Sequence, residues 1–412
     1  MCLKGVEGMA RSLISALKRL MSMQRWNFLP RIETWTEAEN AAYVAHLGYA
    51  IARQMGENDK FIDHLILRAL LQSFTKFEIS DIPRHTIESL ENIPVKDKKR
   101  GENYYETLRN EAAHKIAPLF PRPIGNELLP YMKAKLRLDS EEPEIIERVD
   151  NLFNYCKRKA ALEECITNKK VYESAYITRE KEIQKSISEI PNYEEYDRIV
   201  ESHKEYFLTV RNLKYLIRWN RIKRTLESSV LAHTYVVTLL AAVYSLYEEK
   251  MFAPIYELEI FKSGKFHIES VLLSLFHDIL ESLTGDVISP VKQKINELAA
   301  PNEEAPLWDM VEDKQRKVIK ETMPLKVKED VEAKGLLNEL SMAKAFSVSS
   351  FTKQCDMLAL VIECILELEN NPAIPEMQTT AANYLEKLKT SEWFSLRQLA
   401  QEISMEYGEV VK

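Results

Sequence analysis

The stretch Ser229–Tyr247, SVLAHTYVVTLLAAVYSLY, decides the fold class. It is apolar almost all round at the helical period, so it reads as a helix buried on every side. Glu269–Leu280 (ESVLLSLFHDIL) and Phe351–Leu368 (FTKQCDMLALVIECILEL) read the same way. No period-two alternation persists long enough to build a sheet. The expected fold is all-α. Each of the three helices carries an isolated polar feature: His233 in the first, the pair His277-Asp278 ending the second, and Asp356 in the first half of the third.

Composition supports helices joined by short turns. Only 10 of 412 residues are glycine, against a usual share of about 7%. No G-x-G-x-x-G and no G-x-x-x-x-G-K-[ST] occurs, which excludes backbone phosphate cradles of those types. Any phosphate chemistry must use side chains or a metal. The net charge of −7 argues against a clamp for polymeric nucleic acid but leaves room for a small anion in a local basic pocket. None of the five cysteines forms a C-x-x-C pair and no secretory signal is visible, so reduced thiols in a cytoplasmic protein are expected. Met9–Met23 is amphipathic and is read as a first helix packed on the core. The apolar runs fall short of the ~18–20 residues that cross a bilayer, so no membrane is expected.

The chain repeats itself. Arg25-Trp26-Asn27 recurs as Arg218-Trp219-Asn220. Gln72-Ser73, followed by Ser80-Asp81, resembles His277-Asp278 followed by Gly285-Asp286. Arg148-Val149-Asp150 resembles Gln354-Cys355-Asp356. Three landmarks in one order at nearly one spacing predict a tandem duplication, with units at 1–200 and 201–412. For the third landmark the polar residues favour pairing Asp150 with Asp356. The cysteine pairs Cys156/Cys165 and Cys355/Cys364 favour a register seven residues different. We take the polar match as the expectation. The polar stretches Glu144–Cys165 and Glu173–Leu208 are expected at the surface or bridging the halves.

Charge buried in apolar sequence is costly unless it is paired or binds a metal. Imidazoles and carboxylates together suit a divalent ion, so His233, His277, Asp278 and Asp356 are the candidate ligands, with Co²⁺, Mn²⁺ or Mg²⁺ as the ion.

These residues match the H…HD…D signature of HD-domain metal-dependent phosphohydrolases. The segment from His277-Asp278 through Glu281 to Thr284-Gly285-Asp286, then Pro290-Val291-Lys292, resembles the corresponding segment of bacterial 5′-deoxynucleotidases (YfbR-like). Arg218-Trp219, fifteen residues before His233, and Lys353-Gln354-x-Asp356 also match. The resemblance spans roughly residues 205–390. It implies two tandem HD-like helical bundles and removal of the 5′-phosphate from a nucleoside monophosphate. Glu281 would orient or deprotonate water, and Asp286 would serve the leaving oxygen or the sugar. Arg218 suits phosphate, Trp219 a base or the sugar, and Lys292 belongs to the same substrate-binding set. The segment departs from the family before His233, where Ser228–Ala232 lacks the usual acid.

The first half has lost the ligands. Gln72-Ser73 stands for the His-Asp pair, Lys76 for Glu281, and Asn40 or Val44 for the first histidine. Asp81 and Asp150 are expected to keep the places of Asp286 and Asp356. The resemblance implies family dimers, so the degenerate copy would supply a partner surface within one chain, an intramolecular pseudo-dimer compatible with a monomer. Two other functions stay open: hydrolysis of another phosphoester (a dNTP or cyclic nucleotide), and a non-catalytic nucleotide-binding regulator.

Overall fold

A computed structural model describes residues 9–94, 103–256, 258–298 and 306–411. Cys2, Pro301 and the ends of the chain lie outside the described residues. Among those described, the secondary structure is helical, with no strand beyond two isolated bridges. The all-α expectation holds.

The two bridges are the same turn written twice. Gln24 pairs with Thr36, and Ile217 with Ser229. Inside each loop a tryptophan turns the chain at positive φ, 55° at Trp26 and 58° at Trp219, a conformation uncommon for side chains of that size. Arg25 N donates to Trp35 O at 2.8 Å, and Arg218 N donates to Ser228 O at 2.9 Å. Each loop ends in a hydroxyl cap: Thr36 accepts from Glu39 N before helix Glu37–Met55, and Ser229 from Ala232 N before helix Val230–Met251. Such caps satisfy amides that the first helical turn leaves orphaned. The shared spacing puts Asn40, not Val44, at the place of His233.

A second shared device follows the next helix. Ser80 has φ 63° and ψ −176°, and Gly285 has φ 75° and ψ 165°. The backbone takes the same sharp bend, so Gln72, Ser73, Lys76 and Asp81 stand where His277, Asp278, Glu281 and Asp286 stand.

The third landmark corrects the expected register. Arg25 Nε lies 2.9 Å from Glu164, as Arg218 Nε lies 3.3 Å from Glu363. Asn168 accepts from the amides of Ile32 and Glu33, as Glu367 accepts from those of Thr225 and Leu226. These pairs align helix Pro143–Lys169 with helix Val348–Leu368 in the register of the cysteines. Lys157, not Asp150, therefore takes the place of Asp356. Asp150 sits two turns earlier, 3.1 Å from Arg68 Nε, and accepts from Leu136 N. The cysteines were the better guide because all four are buried and free. The buried face of a helix is fixed by packing, whereas isolated polar residues recur on any face.

Two further expectations change. Glu144–Cys165 is not peripheral: Val149, Leu152, Phe153 and Cys156 are buried, and the helix packs on Glu37–Met55 and Asp59–Gln72. Val230–Ile255 is long and apolar enough to cross a membrane by length and composition, although 89% of its apolar window is buried among other helices. The first helix, Met9–Ser22, packs as expected, with Leu13, Ile14, Leu17, Leu20 and Met21 in the core.

The halves share one hydrophobic core. Helices Glu37–Met55 and Val230–Met251 pack against each other. Polar ties cross between the halves: Ser229 Oγ donates to Glu39 at 2.7 Å, Tyr235 Oη to Leu70 O at 3.0 Å and Tyr49 Oη to Asp330 at 2.8 Å.

Candidate metal centre

Three helices of the second half present the site. Val230–Met251 carries His233, Phe266–Phe276 ends just before His277, and Val348–Leu368 carries Asp356. All three are largely apolar where they pack, and His233 and Asp356 are buried between them.

His233 is fully buried. Its Nε2 lies 3.0 Å from Asp356 Oδ1 and 3.9 Å from Asp278 Oδ2. His277 Nδ1 donates to Ser274 O at 2.7 Å, which turns Nε2 toward Asp278 Oδ2 at 3.0 Å. Ligand atoms of His233, His277 and Asp356 all lie within 4.8 Å of one another. Atoms bound ~2.1 Å from one ion lie roughly 3–4 Å apart, so this donor set fits a divalent ion with small side-chain adjustment. Asp278 touches both histidines. The four predicted ligands are thus brought together.

The charges of the cluster lean on each other. Burial pushes the Asp278 and Asp356 carboxyls up, but the neighbouring histidines, with Arg218 at Asp278 and Lys353 at Asp356, hold both below the usual range. Burial and Arg218 lower the His233 imidazole, yet Glu363 and Asp356 outweigh them and raise it to about 9. Lys353 Nζ is 2.8 Å from Asp356 Oδ2.

The other predicted residues divide. Arg218 is buried and aims Nη1 at Asp278 Oδ2, 3.6 Å away. Glu281 sits one turn past Asp278, and its Oε2 is buried with no hydrogen-bond partner among the described residues. Burial and Asp278 push its carboxyl well above the usual range. Asp286 follows the Gly285 bend and is half-buried. Trp219 does not offer a free indole N–H: Nε1 donates to Glu363 Oε2 at 2.9 Å. Lys292 is drawn to helix Leu307–Thr322, 3.6 Å from Glu312 and over the Trp308 ring at 5.1 Å, and meets no ligand directly.

Residues 205–407 match the family described as 5′-deoxynucleotidase YfbR-like. The second half of the chain is thus similar to the YfbR-like family. A 5′-deoxynucleotidase of Photorhabdus laumondii is 24% identical over 184 residues, 43% of this chain and 83% of the relative. One of Vibrio parahaemolyticus is 27% identical over 169 residues, 41% of this chain and 76% of the relative. One of Klebsiella pneumoniae strain 342 is 24% identical over 174 residues, 40% and 74%.

The residue that sequence reasoning missed in the YfbR-like half is Glu363. It is buried, and it binds His233 Nδ1 at 3.0 Å, Arg218 Nε at 3.3 Å and Trp219 Nε1 at 2.9 Å. Arg218, His233 and Arg224 overcome its burial and hold the carboxyl at about 2. A carboxylate thus reaches His233 from another helix. A signal was present: Glu363 lies seven residues after Asp356, two turns along the same face of an apolar helix.

Proposed function

We propose that this chain is a metal-dependent phosphohydrolase that removes the 5′-phosphate from deoxynucleoside monophosphates. The observation that carries the reading is the convergence of His233, His277 and Asp356, with Asp278 beside them, in the YfbR-like half. The relatives' names supply the substrate class.

In this reading His233, His277, Asp278 and Asp356 hold a divalent ion, Co²⁺, Mn²⁺ or Mg²⁺. Such an ion, when bound, polarises a phosphoryl oxygen and acidifies water. Arg218, pinned by Glu363, offers its guanidinium to the phosphate, for which the planar fork is suited. Glu281, one turn past Asp278, takes the proton from the attacking water. Asp286 on the Gly285 bend serves the departing 5′-oxygen. Water adds to phosphorus as the phosphorus–oxygen bond breaks, the departing 5′-oxygen takes up a proton in exchange for the one Glu281 removed, and nucleoside and phosphate leave. Trp219 lines the pocket as a positioned ring, and Lys292 is a peripheral contact for the substrate.

The chain divides in this reading into a degenerate HD-like unit at 1–200 and a catalytic unit at 201–412. The first unit covers the second within one polypeptide. The partner is a small nucleotide, with no role for a nucleic-acid polymer or a membrane. Buried free thiols suit a reducing, cytoplasmic setting.

The test is phosphate release from a panel of deoxynucleoside and ribonucleoside monophosphates with each ion. Turnover of monophosphates, lost in Asp278→Ala, is expected. Turnover confined to triphosphates or cyclic nucleotides would replace the substrate class. Binding without turnover under every ion would overturn the enzymatic reading.

A further inference from the structure

The first half keeps the architecture of the site and inverts its charge. In the second half Asp278, Glu281, Asp286, Asp356 and Glu363 outnumber the cations Arg218 and Lys353 at the centre, a balance that calls for a divalent cation. In the first half the matching positions hold Ser73, Lys76, Asp81, Lys157 and Glu164, and Glu37 joins them. The carboxylates there are already taken. Arg25 lies 3.2 Å from Glu37 and 2.9 Å from Glu164, and Lys76 lies 2.8 Å from Asp81. Two cations remain. Lys157 and Arg109 reach no carboxylate within 4.0 Å among the described residues.

Both converge on Gln72, the residue at the place of His277. Lys157 Nζ is 3.4 Å from Gln72 Oε1, and Arg109 Nη2 donates to Gln72 O at 2.9 Å. Arg109 is 6% exposed, and its Nε has no hydrogen-bond partner among the described residues. Asn40, at the place of His233, is 3% exposed and leaves Oδ1 unpartnered there too. Burial and the neighbouring Arg109, Lys76 and Arg68 push the Lys157 amine well below its ordinary range. An amine buried among like charges sheds its proton, and a bound anion restores the charge by supplying the missing partner.

We infer that the first half holds a metal-free phosphate site, in which Lys157 and Arg109 bind the phosphate group where the second half binds an ion. The ligand is a phosphate dianion, free or carried as a monoester. Its negative charge matches Arg109 and the proton that half-buried Lys157 takes up beside it, and Arg109 supplies a planar fork for its oxygens. The loss of the metal ligands thus did not leave a neutral core. Lys157 replaced Asp356, and the site's preference changed sign. The inference does not require that the second half be catalytic.

The test is isothermal titration of the full-length chain in EDTA with inorganic phosphate, deoxyadenosine 5′-monophosphate and deoxyadenosine. The first two are expected to bind with one site per chain, and the third not to bind. Whichever of the first two binds more tightly identifies the source, free phosphate or nucleotide. Lys157→Met and Arg109→Gln are each expected to weaken binding roughly tenfold to hundredfold, and Asp278→Ala to leave it unchanged. Lys157→Arg, which keeps the charge, is expected to retain it, and thermal melting verifies that each variant is folded. Absence of phosphate binding in EDTA would overturn the inference. So would binding that survives Lys157→Met, or that Asp278→Ala removes.

Discussion

Glu363 Oε1 lies 3.0 Å from His233 Nδ1, while the other oxygen of the same carboxylate accepts from Trp219 Nε1 and faces Arg218. One buried acid therefore fixes the imidazole so that Nε2 points at Asp356, and it restrains the guanidinium proposed for phosphate. Carboxylates behind ligating histidines orient the ring and raise its basicity. Glu363→Gln keeps the shape and removes the charge. Affinity for Mn²⁺, read by titration calorimetry, is expected to fall about 10–100-fold. Unchanged affinity would reduce Glu363 to a packing residue.

The register of the two halves makes a prediction about the metal itself. With Lys157 at the place of Asp356, four substitutions should rebuild a centre in the first half: Asn40→His, Gln72→His, Ser73→Asp and Lys157→Asp. Metal content per chain, measured by elemental analysis after dialysis, is expected to rise from one ion to two. The first three alone, with Lys157 retained, are expected to stay at one although Asp150 is present. An ion gained by that triple variant would restore the register that pairs Asp150 with Asp356.

Much of this was readable in the chain. Apolar sequence around His233, His277-Asp278 and Asp356 leaves those groups nowhere to face but each other, and the structure brings them together. The paired Arg-Trp loops were legible because a bend at positive φ needs a particular local sequence. Three things were not legible. Asp150 was a decoy, since one acid near the right distance looks like another until burial is known. Glu363 was hidden because an acid in a helix reads as solvated unless the whole helix is seen to be enclosed. The surroundings of Lys292 were hidden too, since Glu312 and Trp308, which its ammonium meets, lie on a helix beyond the residues the motif covers.

Asn168 carries the first half's version of a loop anchor. Its Oδ1 accepts from the Ile32 and Glu33 amides at 2.8 and 2.9 Å, and its Nδ2 donates to Glu33 O and Glu164 O. Asn168→Ala orphans the buried Glu33 amide and the partly buried Ile32 amide. Each unsatisfied buried donor costs on the order of 1–3 kcal/mol, so a loss of about 2–3 kcal/mol is expected from urea unfolding. Asn168→Asp, which copies the carboxylate of Glu367, retains the acceptors and is expected to cost less. Equal losses for the two variants would show that the donated bonds, not the accepted ones, hold the loop.

The halves are also joined by a titrating pair. His267 Nε2 lies 2.9 Å from Asp63 Oδ1 across the junction, and Ser245 Oγ lies 2.6 Å from His267 Nδ1. Burial lowers the imidazole's proton affinity, but Asp63 and Glu249 outweigh it and the pKa is raised above 6.5. The folded chain thus binds this proton more tightly than the unfolded chain does. The stabilisation is fully present below pH ~6.5 and is lost as pH rises through the folded value. Asp63→Asn removes the acid. The difference in stability between wild type and Asp63→Asn, from urea midpoints, is expected to be roughly 1.5–3 kcal/mol near pH 6, the range of a charge-assisted bond. It should shrink as pH rises above 6.5 and through the raised folded-state value, where the imidazole deprotonates. A difference that stays constant across that range would mean that His267 is neutral throughout and that Asp63 holds the junction as an acceptor alone.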